Sequence, residues 1–86
     1  METALKPLSF GLAVGILWGL GLLVLGLMAA YLNWGKLAVD VIASVYPGYA
    51  PTLVGSLIGL VWGFVDGTIA AAIVALLYNY LASAIK

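Results

Sequence analysis

Polar positions are so sparse in this chain that they punctuate long apolar runs. No charged residue occurs from position 7 through 35, and between 41 and 85 the only one is Asp66. Each run is longer than the roughly 20 residues an α-helix needs to cross a bilayer. The pattern predicts an all-α membrane protein, an antiparallel hairpin of two transmembrane helices with a short interfacial helix between them. The first span is placed at 8–33, the bridge at 35–50 and the second span at 52–80, all within a single membrane domain, 1–86. At 1.5 Å rise per residue each span is roughly 40 Å long, beyond a ~30 Å hydrocarbon core, so tilt or protrusion follows. The first run is also longer than the ~7–15-residue core of a signal peptide and no A-x-A site follows it, so it reads as a permanent span.

Within the spans the punctuation repeats. PLSFGLAVGILWG at 7–19 and PTLVGSLIGLVWG at 51–63 align at a constant offset of 44, matching one proline, three glycines and one tryptophan. Pro7 and Pro51 suit the first turn of a helix, where a missing N–H costs little. If both helices cross, they run in opposite senses and form a crude inverted repeat. Gly11, Gly15 and Gly19 make one ladder, and Gly55, Gly59, Gly63 and Gly67 another, each at four-residue spacing. Such spacing stacks the missing side chains on one face. In water these glycines weaken a helix; in lipid they let two backbones approach, so they read as helix-packing residues. Whether the partner is the same chain or another is left open.

Aromatic residues mark the expected headgroup levels: Tyr31 and Trp34 close the first span, Tyr46 and Tyr49 precede the second, and Tyr78 and Tyr80 close it. In the bridge, Lys36, Asp40 and Ser44 recur every four residues on an otherwise apolar segment. That stripe predicts a short helix lying at the interface or tucked against the spans, with an irregular loop as the alternative. Tyr46-Pro47-Gly48-Tyr49 then breaks it into a turn. Lys6 and Lys86 flank the termini and Lys36 lies in the bridge, so the positive-inside rule leans by one lysine toward cytoplasmic termini.

Composition removes most chemistries. Of 86 residues 66% are apolar, and the mean hydropathy is +1.27. A soluble chain this short could not bury so much apolar surface. Net charge is zero and arginine is absent, which gives nucleic-acid binding no electrostatic support. Without cysteine or histidine there is no disulfide, thiolate, imidazole base or usual zinc ligand. Ser9, Ser44, Ser56 and Ser83 have no base arranged beside them, and no phosphate-loop or dinucleotide fingerprint is present. The expectation is a non-enzyme with no catalytic residue, cofactor or metal.

Three intramembrane polar side chains remain: Asp66, Trp18 and Trp62. A carboxylate near the bilayer centre costs roughly 2.5–3.5 kcal/mol on insertion scales. Eleven Leu, Ile, Val and Phe residues between Gly55 and Leu77 outweigh that penalty. At about 100° per residue, with Gly55 as zero, Asp66 falls near 20° and Gly59 and Gly63 near 40° and 80°. The carboxyl group is therefore expected to point into the glycine seam. It is either an ion or proton site or a buried group bonded to the neighbouring helix. If Trp34 and Pro51 share a depth, Asp66 lies level with Gly19 and beside Trp18, whose indole N–H can donate to it; Trp62 is the alternative donor.

YPGYAPTLVGSLIGLVWGFVDG, with GILWGLG upstream, resembles a family of short two-span bacterial membrane proteins often labelled bacteriophage holin. The resemblance covers roughly 15–79 and implies residence in the bacterial inner membrane. Holins commonly carry a charged cytoplasmic tail, where this chain has only Lys86. In architecture the chain also resembles rotary ATP synthase c subunits, with Asp66 in the place of their proton-carrying carboxylate. Their glycines alternate every second residue and their loop carries Arg-Gln-Pro; here the spacing is four and arginine is absent. The main expectation is a small integral membrane protein acting through glycine-mediated helix packing. Its partners would be membrane lipid and either itself, as a homo-oligomer, or other membrane-protein subunits. The alternatives are a holin-like pore former and, more remotely, a proton-carrying rotor subunit.

Overall fold

A computed structural model describes residues 4–85. Lys86, one of the lysines used to orient the chain, lies outside the described residues. The described residues form three helices and no strand: α1 (Pro7–Leu32), α2 (Lys36–Ala43) and α3 (Leu53–Ala84).

Local chemistry sets the helix ends. Lys6, held extended before proline, precedes α1, and Pro7 opens it as expected. α1 stops at Asn33, which takes the left-handed conformation at φ 54°, while the Trp34 N–H donates to the Met28 carbonyl at 3.3 Å. Gly35 follows at φ 78° and starts α2 at once. The start of α3 differs from expectation. The Thr52 hydroxyl accepts from the Gly55 N–H at 2.9 Å and caps the helix, so Pro51 precedes the cap instead of occupying the first turn. At its other end α3 continues to Ala84, past the expected boundary at 80.

α1 and α3 pack antiparallel along the two ladders. Gly19 lies against Gly63, Gly15 against Gly67, and Gly11 against Thr68 and Ala72. A Cβ on Gly63 would stand 2.7 Å from the Gly19 Cα, and one on Gly19 would stand 2.7 Å from the Leu60 carbonyl. Further up, Ser56 fills the notch at Gly26. The buried Ser56 hydroxyl donates to the Thr52 carbonyl at 2.6 Å. The Thr68 hydroxyl is buried against Gly15 without a hydrogen-bond partner among the described residues. The second ladder is shared: Gly55 meets Ala50 and Gly59 meets the Tyr49 ring. All seven ladder glycines are thus used within one chain.

α2 turns back and packs on α1. Val39 is fully buried with Leu22, Ala29, Tyr46 and Tyr49, flanked by Leu25 and Ile42. This is the tucked placement of the bridge, and it overturns one expectation. Tyr46 and Tyr49 are 7% and 3% exposed, inside the fold, whereas Tyr31, Trp34, Tyr78 and Tyr80 are exposed. At the open end of the hairpin the Asn79 side-chain amide clamps the Leu5 backbone, accepting from its N–H at 2.7 Å and donating to its carbonyl at 2.8 Å.

The outward faces of α1 and α3 stay apolar and uncovered. Only 28% and 22% of their most apolar stretches are buried, and Leu17, Val61 and Ile73 stand well exposed. A soluble core helix would be mostly covered; by length and composition both helices could cross a membrane.

Gly21 has nothing within 4 Å of an added Cβ. Gly21→Ala should therefore keep the helix-propensity gain of up to about 1 kcal/mol. Gly63→Ala meets the Gly19 backbone and should lose about 1–3 kcal/mol to overpacking. Thermal unfolding followed by circular dichroism in detergent checks the opposite signs.

Candidate functional site

The turn after α2 decides where the polar groups meet. Tyr46 closes the helical turn through its N–H to the Ile42 carbonyl at 3.0 Å, and the Tyr49 N–H bonds the Tyr46 carbonyl at 3.1 Å. Between them Gly48 takes φ 92°, a conformation that a side chain disfavours. The tight turn sends both phenols into the hairpin. The Tyr49 hydroxyl donates to the Leu22 carbonyl of α1 at 2.6 Å. The Tyr46 ring stacks on Trp62 of α3, with centroids 5.6 Å apart and planes 12° from parallel. The Trp62 indole N–H in turn donates to the Pro47 carbonyl at 2.8 Å.

Three elements converge on the Tyr46 hydroxyl. It donates to Oδ2 of Asp66 at 2.5 Å and accepts from the Trp18 indole N–H at 3.0 Å. Trp18 and Asp66 are brought together as expected, but through a phenol and not by a direct bond. The register also differs from the expected one by three residues: Gly19 lies opposite Gly63, not level with Asp66. The orientation of Asp66 is corrected as well. It is exposed on the flank of α3, while the seam passes through Gly63, Gly67 and Ala71. One residue turns a helix by about 100°, so Asp66 stands well to the side of Gly67 and the seam leaves it at the rim. Trp62, the alternative donor, serves the turn and does not bond to Asp66.

Below this junction lies a cleft of about 420 Å³ whose lining includes Phe10, Val14, Trp18, Tyr46, Asp66 and Ala70. Asp66 is the only charged residue in its wall. Tyr46 is the residue that sequence reasoning missed at this site. The available signal was indirect: a mid-span carboxyl group needs a donor, and the Tyr-Pro-Gly-Tyr turn supplies one beside the second span. In comparisons with protein-family models, curated proteins and solved structures, nothing matches this chain.

Chemically the junction is a hydrogen-bond relay that holds the turn, α1 and α3 together. Tyr46→Phe removes the bridging hydroxyl, leaving the indole and the carboxyl group without that partner, and should cost about 1–3 kcal/mol. In a double-mutant cycle with Asp66→Asn, Tyr46→Phe should couple by about 0.5–3 kcal/mol, whereas Tyr49→Phe should add independently. Denaturant unfolding in detergent gives all three values.

Proposed function

We propose that this chain is a small, non-enzymatic integral membrane protein that crosses the bilayer twice and acts as a packing subunit. Its association would be with further copies of itself or with other membrane proteins. The observation that carries this reading is that both glycine ladders are consumed inside the chain while the outer helix faces remain apolar and exposed. Glycine-mediated packing then builds the hairpin, and association falls to surfaces such as Leu17, Leu20 and Val61. The bridge in this account is held at the side of the hairpin by Val39, Tyr46 and Tyr49. It is anchored to the spans more than it is floated on the headgroups. Location in the bacterial inner membrane is proposed from the holin-like resemblance.

Native mass spectrometry of the full chain, purified in mild detergent, tests this proposal. A complex of fixed copy number, or one containing other membrane subunits, is the expected outcome. A monomer at every protein concentration and in every mild detergent would contradict it. Expression in a bacterial host should leave the membrane potential steady, and abrupt collapse would favour the holin-like alternative.

A further inference from the structure

From the cleft beside Asp66 we infer a lateral binding site for a small lipophilic organic cation. The site rests on the two-span membrane reading but on no particular partner. Its volume of about 420 Å³ falls within the roughly 300–1,000 Å³ of small-molecule sites. Its wall combines one carboxyl group with the rings of Phe10 and Trp18, and the buried Tyr46 borders it. Carboxylate plus aromatic rings is the chemistry that recognises organic ammonium or phosphonium cations.

The carboxyl group is also available for this role. Only Oδ2 of Asp66 accepts a hydrogen bond among the described residues, from Tyr46, and the side chain is exposed. Among the described residues the two long helices supply no cation: α1 contains no lysine or arginine, and Asp66 is the only charged residue of α3. Lys6 precedes α1 and Lys36 opens α2, and neither lines the cleft. In a low-dielectric surrounding, the ionised form of a carboxyl group interacts strongly with a cation brought to it.

The shape favours a small ligand over a partner's helix. Above the cleft the turn crosses α3, with Tyr46 stacked on Trp62 and Pro47 bonded to the same indole. That overhang interrupts the groove, so a helix running the depth of the bilayer could not lie along it. At the floor of the wall Gly67, Ala70 and Ala71 keep the cleft open.

Tetraphenylphosphonium is the probe, with tetraphenylborate as a control of the same shape and opposite charge. Binding is measured by equilibrium dialysis on the full chain in mild detergent. The expected result is saturable binding of one phosphonium per chain, weakened at least about tenfold by Asp66→Asn, with no Asp66-dependent binding of the borate. Ala70→Trp fills the cleft without altering Asp66 or Tyr46 and should abolish binding too; it decides the matter if Asp66→Asn fails to fold. Unchanged phosphonium binding in a folded variant would overturn the site, as would equal binding of the borate. Retention of the chain in membranes after carbonate washing tests the two-span reading separately. If the chain is retained but binds no phosphonium, the cleft proposal alone fails.

Discussion

The contact on which the rest of the fold depends is the touching of two backbones at Gly15, Gly19, Gly63 and Gly67. A Cβ on Gly67 would lie 3.0 Å from the Gly15 Cα, so even alanine presses on the opposite helix. Between helices in lipid there is little hydrophobic drive to associate, and close packing and hydrogen bonds must supply the attraction. Glycine costs helix stability of up to about 1 kcal/mol relative to alanine. Here that cost is offset by dispersion contacts along two long helices. The close approach sets the register and leaves Trp18 and Asp66 on one flank of the pair, within reach of the same tyrosine.

That flank is where the third element becomes fixed. α2 alone is one short helix and could not hold a position by propensity. It is held by Val39 against Leu22 and Ala29, and by two phenols that bond to α1 and α3 beyond the turn. Polar groups enclosed by apolar side chains are expensive when unpaired. The Tyr46 and Tyr49 hydroxyls and the Trp18 and Trp62 indoles all find partners. The turn, rather than either span, organises the polar chemistry.

Much of the fold was legible because it follows from periodicity. The apolar runs located α1 and α3, the four-residue glycine spacing located their buried faces, and the polar stripe at Lys36, Asp40 and Ser44 located α2. Pro7 was read correctly, whereas Pro51 was not, since a threonine beside it makes a better cap. The candidate site was legible only in part. Trp18 and Asp66 could be paired by counting along an antiparallel hairpin, but Tyr46 joins them from 28 and 20 residues away. No local pattern encodes the path of a turn that folds back beside the helices. A tyrosine next to an apolar span looks the same whether it faces headgroups or the interior. The Asn79 clamp on Leu5 escaped for the same reason: its partners are 74 residues apart and one of them is main chain.

The central claim is that the ladders close one chain on itself. Spin labels at Leu17 and Val65, both exposed, read it most directly by pulsed dipolar spectroscopy in lipid. In the register given by Gly15–Gly67 and Gly19–Gly63, these two positions lie at the same height on adjacent helices. With both labels on the outer faces of the pair, opposite the seam, the account predicts one narrow distance spanning the two helices that persists unchanged when labelled chains are diluted with an excess of unlabelled chains. Loss of that distance on dilution would show that the glycines join different chains and would contradict the account.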